Sequence, residues 1–339
     1  MELKKREKLM NNRLSLSIVV LVTAVLLGGC VVKDISRTVG HTVKGDYYLD
    51  AEKYSEGRQS FEKAVHQDPE SASANYYYGR FLLYDKNYVK AKGYLVKARD
   101  KEPDNADYQF WAGIGYAGLK DRKREEECYR NALKIDPNHL QSLVYLGHNQ
   151  LEKKRYHDAF KYYQKALDIW PGSPSALYNR ALILKRLGRT PEEKIGWLEY
   201  LDYYPSGHMA RRAVDHLNYL GDFSYRNHRL GPRTVTLEKI YFEPFSDRLS
   251  GNSVESLNLV GGIAEKMKKG KLQILVYQKN NKKLAKARAT AIRQYLIEEF
   301  PGLPLKRIGI SWFDSPQSFK IKKKKMKIEE SVSFFISEK

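Results

Sequence analysis

A repeat of 34 residues is the feature that most restricts what this chain can fold into. Five prolines stand at that spacing, Pro69, Pro103, Pro137, Pro171 and Pro205, preceded by Asp68, Glu102, Asp136, Trp170 and Tyr204. Five residues before each proline come Ala64, Ala98, Ala132, Ala166 and Tyr200, and eight before it Phe61, Leu95, Tyr129, Tyr163 and Trp197. A small residue lies early in every unit: Gly45, Gly79, Gly113, Gly147 and Ala181. Within a unit, apolar residues recur three and four apart, which predicts two amphipathic helices joined by a short turn. The units begin near Thr38, Ala72, Ala106, Leu140 and Pro174. Proline ends each second helix because it supplies no backbone donor. The small residue allows the two helices to approach, and the bulky one fills the space between neighbours. The fifth unit departs at Tyr200 and Thr190-Pro191. A last helix over His208–Leu220, with Ala210, Val214, Leu217 and Leu220 on one face, would cap the apolar end of the stack.

Several columns agreeing in register resemble the tetratricopeptide repeat. That resemblance implies an α-solenoid of helical hairpins whose first helices line a concave face. Its inward positions fall here on Tyr76, Arg80, Leu83 and Tyr84, on Phe110 and Ile114, on Val144, His148 and Leu151, and on Tyr178, Leu182, Lys185 and Arg186. The expected partner groove therefore comprises Tyr76, Arg80, Tyr84, Phe110, Ile114, His148, Tyr178 and Lys185, aromatic and aliphatic with cations towards each end. Such a groove suits an extended peptide or a helix carrying apolar and acidic groups. The bland alternative is that some of these side chains pack between helices. The Lys/Asn clamp of some relatives is missing, since Thr42 and Asp46 occupy its first-repeat positions.

Beyond a polar stretch from Asp222 to Thr234 the period changes. Strands are predicted at Leu237–Phe242, Leu272–Tyr277, Arg307–Trp312 and Ser331–Ile336, with helices at Ser253–Lys268 and Leu284–Phe300. This order predicts a small α/β sandwich. It resembles the OmpA-like peptidoglycan-associating domain, best around Asn281-Lys282-Lys283-Leu284-Ala285-Lys286-Ala287-Arg288-Ala289. In that family the arginine at the Arg288 position pairs with a carboxylate of the peptidoglycan diamino acid. The family's aspartate-bearing loop is replaced by Tyr277-Gln278-Lys279-Asn280, and its Asn-Arg-Arg by Glu329-Glu330-Ser331. A zwitterionic ligand needs both signs of charge, so this departure weakens the peptidoglycan expectation.

The N-terminus sets the compartment. Lys4, Lys5, Arg6, Lys8 and Arg13 precede an apolar run from Leu14 to Leu27, too short for a comfortable membrane span. It ends in Leu27-Gly28-Gly29-Cys30, which resembles the lipobox of bacterial lipoproteins and implies acylation at Cys30. Val31 follows the cysteine, where an aspartate would favour the inner membrane. The expectation is thus an outer-membrane lipid anchor facing the periplasm. Domain by domain, it is a signal peptide over 1–29, a lipidated tether over 30–37, repeats with capping helix over 38–221, a linker over 222–234 and a basic α/β domain over 235–339.

Composition adds an excess of cations, 60 Lys and Arg against 40 Asp and Glu, for a net charge of +20. From Arg233 onward stand 22 Lys and Arg against 11 Asp and Glu, six of the lysines between Lys320 and Lys327. That run reads either as a solvated loop or as a clamp for acidic lipid, glycan or protein. Export argues against a nucleic-acid partner. The eight histidines have no zinc-ligand spacing, no phosphate loop or nucleophile elbow is present, and the sequence predicts no enzyme and no cofactor. The function expected is an envelope scaffold binding a protein partner through its repeats, as in secretion or pilus machinery assembly. The alternative is a tether from outer membrane to peptidoglycan through the C-terminal domain.

Overall fold

The computed structural model describes residues 29–321 and 324–337. The expected signal peptide lies outside the described residues up to residue 28, as does the side chain of Cys30. The chain forms two units, residues 1–149 and 150–339.

The repeat region forms eleven helices among the described residues. They are α1 (Gly29–Asp50), α2 (Tyr54–Gln67), α3 (Ala72–Tyr84), α4 (Tyr88–Lys101), α5 (Ala106–Gly118), α6 (Arg122–Ile135), α7 (Leu140–Glu152), α8 (Tyr156–Ile169), α9 (Pro174–Arg186), α10 (Thr190–Tyr203) and α11 (Gly207–Tyr219). Residues 30–37, expected as a lipidated tether, are helical and continuous with the first repeat. At about 1.5 Å per residue they advance far less than an extended segment.

The columns read from the sequence are the core. Phe61, Leu95, Tyr129, Tyr163 and Trp197 are all buried, none more than 1% exposed. In the first unit Leu95 lies against Gly79, where an added β-carbon would come within 2.6 Å of Leu95 Cγ. Tyr129 meets Gly113 in the same way, at 2.5 Å from its Cε1. In the second unit Trp197 and Tyr200 enclose Tyr178. Burying each of these large side chains contributes on the order of 2–3 kcal/mol.

Two further columns keep the same period. Before the first helices stand Ser71, Asn105 and His139, whose side chains accept from the backbone N–H of Ala74, Tyr108 and Ser142, each at 3.2 Å. The turn between the helices of a repeat places Glu52, Lys86, Lys120 and Lys154 at φ of 55 to 62°, and Gly188 at 70°.

In the second unit, α11 is followed by an antiparallel hairpin, β1 (Tyr225–Leu230) and β2 (Arg233–Glu238). The segment expected as a linker is therefore a strand, and it is tied down: Asn227 Nδ2 donates to Arg211 O at 2.9 Å, and Asn218 Nδ2 to Tyr225 O at 2.8 Å. There follow α12 (Val254–Lys266), β3 (Lys271–Gln278), α13 (Lys282–Glu299), β4 (Ile308–Phe313), β5 (Gln317–Ile321), β6 (Lys324–Ile328) and β7 (Glu330–Ser337). The crossover through α13 makes β3 and β4 parallel, and β7 closes the other side of β3 antiparallel, giving the order β4-β3-β7. Leu257, Val260, Ile274, Ile292, Leu296 and Phe334 fill the core beneath that sheet. The strand expected at Leu237–Phe242 ends at Glu238, and only a bridge between Phe242 and Leu249 continues it.

The lysine-rich run, read as a loop or a clamp, is the β5–β6 hairpin. Phe319 pairs with Met326 on its half-buried face, and Lys320 with Lys325 on its exposed face. Phe319 packs edge-on against Phe223 at 5.2 Å.

Lysine in the left-handed turn is strained by about 1–2 kcal/mol, against about 0.5–1 kcal/mol of extra chain entropy lost by glycine. Replacing Lys86, Lys120 and Lys154 by glycine together should therefore raise stability by about 1–2 kcal/mol. Thermal unfolding followed by helical circular dichroism would show this as a higher midpoint; a lower one would contradict the strain assigned to the turn.

Candidate functional site

The eight groove positions divide by their place in the repeat. Tyr76, Phe110 and Tyr178 occupy the fifth position and are buried, 8%, 3% and 5% exposed. Tyr76 lies 4.8 Å from the Tyr108 ring of the next repeat. Phe110 is enclosed by Tyr129, His139 and Tyr145 at 5.2 to 5.4 Å. These three belong to the packing between helices, as the bland alternative held, because a large ring at this position reaches its neighbour before it reaches solvent. Burial pushes the Tyr76 hydroxyl up to about 12.

The ninth position behaves differently. Arg80, Ile114 and His148 are all half-buried, and their common register puts them on one face of their first helices. Arg80 is held in place by aromatic rings. Its Nη1 donates to the Tyr76 hydroxyl at 3.0 Å, and its guanidinium lies 4.3 Å from the Trp111 ring centre. Stacking of this kind keeps the cation and fixes its direction, which suits Arg better than Lys. Tyr84 is 48% exposed and stacked on Tyr54 with centroids 3.8 Å apart. Arg80 and Trp111, adjoining Ile114, therefore form the cation-aromatic surface of the first unit. Trp111 was not among the expected groove residues. Its i+31 relation to Arg80, one turn off the repeat period, is the signal that could have placed it.

Beside this surface Asp107 Oδ1 lies 3.2 Å from His139 Nε2. The hydrogen bond to His139 holds the Asp107 carboxyl below its usual range, against the opposing effect of burial. In the second unit Lys185 Nζ donates to His216 Nδ1 at 2.6 Å, and His216 stacks on Trp197 with centroids 4.6 Å apart. Cys128 is buried, and burial raises its thiol. Among the described residues no group of three or more His, Cys, Asp or Glu side chains could hold a metal ion, and no helix is long and apolar enough to cross a membrane.

Arg288 is on α13, 3% exposed, with its guanidinium 4.5 Å from the Phe242 ring centre. Its Nε donates to Ser246 O at 2.9 Å and its Nη1 to Gln278 Oε1 at 2.6 Å. Nη1 also lies 2.9 Å from Glu330 Oε2. Burial is the largest single influence on the Glu330 carboxyl and works to raise it, but the hydrogen bond and charge of Arg288, together with Lys239, jointly outweigh it and hold that carboxyl below its usual range. The residue that could have paired with an outside carboxylate thus has an internal one. Its neighbour Glu329 pairs with Lys279 at 2.5 Å.

Comparison with known proteins gives the class. Tetratricopeptide-repeat families match residues 48–109, 106–139, 126–174 and 146–208. The chain therefore carries tetratricopeptide repeats over this span. The tetratricopeptide repeat-containing protein trd-1 of Caenorhabditis elegans is 28% identical over 118 residues, 32% of this chain and 15% of that protein. Photosystem I assembly protein Ycf3 of Synechococcus sp. (strain CC9311) is 30% identical over 123 residues, 32% of this chain and 66% of that one. The chain spans under two thirds of the length of both. The solved structure of pilF from Pseudomonas aeruginosa, 18% identical, superposes with a TM-score of 0.50 over 56% of this chain and 85% of that one, a likeness of fold.

Position in the repeat sets the expected cost of substitution. Phe110→Ala should destabilise the chain by about 3–5 kcal/mol, whereas Tyr84→Ala should cost about 1 kcal/mol or less, both read from urea unfolding midpoints. Equal costs would contradict the division into core and surface positions.

His228 supplies a pH dependence. It is buried beside β7, and its Nδ1 accepts from Phe334 N–H at 3.3 Å. Burial and then the Arg226 charge push its pKa down to about 3, against about 6.5 in an unfolded chain. Between those values the unfolded state binds the proton and the folded state does not, so acidification destabilises the fold. From pH about 6.5 to about 5 this group alone should remove about 2 kcal/mol. His228→Gln keeps an acceptor and should flatten that slope; an unchanged slope in chemical unfolding would contradict the assignment.

Proposed function

We propose that this chain is a lipid-anchored scaffold of the bacterial envelope that binds a protein partner on its tetratricopeptide repeats. The observation that carries the reading is Arg80 held over Trp111, next to Ile114, on helices whose fifth-position rings are already used for packing. A side chain fixed in direction, half-exposed and cationic is suited to contact another protein, since little rotamer freedom is lost on binding. The Synechococcus relative is named an assembly protein, which is in keeping with a scaffold. The lipobox-like Leu27-Gly28-Gly29-Cys30 and Val31 support an anchor in the outer membrane, facing the periplasm, and export agrees with work in secretion or pilus machinery assembly. On this reading the C-terminal α/β unit is a degenerate OmpA-like domain.

A peptidoglycan tether is the weaker reading. A cell-wall carboxylate would have to reach a guanidinium only 3% exposed and displace Glu330, which already pairs with it at 2.9 Å.

Two measurements test the proposal in cells of a bacterial host. Cys30→Ser should abolish acylation, read by labelled fatty acid; retained label would remove the anchor. Arg80→Ala with Ile114→Asp should abolish co-purification of the proteins that the unaltered chain retains, with helical content preserved. An unchanged partner set would overturn the repeat surface as the binding site.

A further inference from the structure

The second unit contains a cavity of about 530 Å³ bounded by α9, α11, β1 and the β5–β6 hairpin. Its lining is cationic: Lys185 from α9, Arg212 from α11 and Arg226 from β1. Asp215 is the acid of this lining among the described residues, and Asn227 Nδ2 already donates to it at 3.0 Å. Arg226 is half-buried. Its Nη1 donates to Gln317 Oε1 at 2.8 Å and to Ser333 Oγ at 3.2 Å, both neutral acceptors, and the guanidinium lies 5.3 Å from the Phe319 ring centre. A guanidinium withdrawn from water and given neutral acceptors is held charged without being neutralised. Lys185 meets His216 at the same wall, and the imidazole is fixed by stacking on Trp197. The cavity therefore brings three cationic groups from three elements to one rim, with two aromatic flanks, Tyr219 and Phe319.

We propose that this cavity binds a carboxylate-rich segment of an extended peptide. Its volume is several times that of one small anion and lies within the range of about 300–1,000 Å³ in which organic ligands are held. Acidic side chains would reach Arg212, Lys185 and the exposed edge of Arg226, while the intervening chain lies along Tyr219 and Phe319. The site is separate from the Arg80 surface. Naming a peptide as the carrier of the carboxylates rests on the scaffold reading; the preference for anions rests on the cavity itself.

The test uses the mature chain and a fluorescein-labelled hexaglutamate peptide, with binding read by fluorescence anisotropy at low salt. Lys185→Gln with Arg212→Gln should weaken binding by about tenfold or more, each lost charge-assisted contact removing part of it. Lys320→Gln with Lys325→Gln, on the exposed face of the neighbouring hairpin, should change it by less than about twofold, as expected of screened surface charge. Equal loss in both variants, or no loss in the first, would overturn the cavity as the site. Displacement of the peptide by inorganic phosphate at matched total charge would make it a free-anion site and overturn the peptide. Failure of hexaglutamate to bind a chain that still retains partners through Arg80 would sink this proposal alone. Loss of all partners in the Arg80 variant bears on the scaffold reading instead.

Discussion

The second and third repeats depend on one contact, a bulky side chain of the second helix set into a notch in the first. Leu95 on Gly79 and Tyr129 on Gly113 leave no room for even a methyl group. That contact fixes the distance between the two helices, and the fixed distance dictates the other positions. At the fifth position Tyr76 meets Tyr108 and Phe110 meets Tyr145 of the next repeat, while Tyr178 is enclosed by Trp197 and Tyr200 of its own, so all three become packing. This packing leaves the ninth position at the margin, half in and half out, which is where a side chain can both be held and be reached. The surface at Arg80 follows from the notch at Gly79 on the same helix.

How much of this was legible depends on whether a residue's role is set inside its own repeat. The bulky, small, alanine and proline columns are set there, and all of them showed in the sequence. The capping column was equally periodic, but Ser71, Asn105 and His139 share a geometry rather than a residue type, which hid it. The left-handed turn was hidden for the opposite reason. Lysine at Lys86, Lys120 and Lys154 carries none of the glycine signal that Gly188 gives, so neighbours must impose the conformation. Groove positions were least legible, because burial there is decided by the facing repeat. Trp111 illustrates this: nothing in its own helix announces that Arg80 will lie on its ring.

The α/β part shows the same division. Strands β3, β4 and β7 and helices α12 and α13 are apolar enough to declare themselves. The hairpins are not: β1 reads Tyr-Arg-Asn-His-Arg-Leu, and β5–β6 is dominated by lysine. Both become strands through partners distant in sequence. Asn227 bonds to α11, and Phe319 rests on Phe223. Such tertiary override is what local pattern cannot carry. Glu330 is the instructive case. The sequence marks it as a departure from a familiar motif, and only the fold reveals that the departure supplies the carboxylate for Arg288.

The excess of positive charge can now be divided by what it does. Some of it is internal to the structure, as at Arg288, where a cation is neutralised and contributes to folding. Some is on the surface without a local counter-charge, as where Lys320 lies directly opposite Lys325, a pairing that costs the hairpin stability rather than adding to it. A fold gains nothing from like charges set face to face. Arg226 likewise donates to neutral acceptors. Charge that the fold neutralises is structural; charge that the fold supports but leaves unneutralised can steer an anionic partner towards the molecule, increasingly so at low ionic strength. On that criterion Arg288 is structural, whereas on the scaffold reading the cations around the Arg226 cavity are of the second kind.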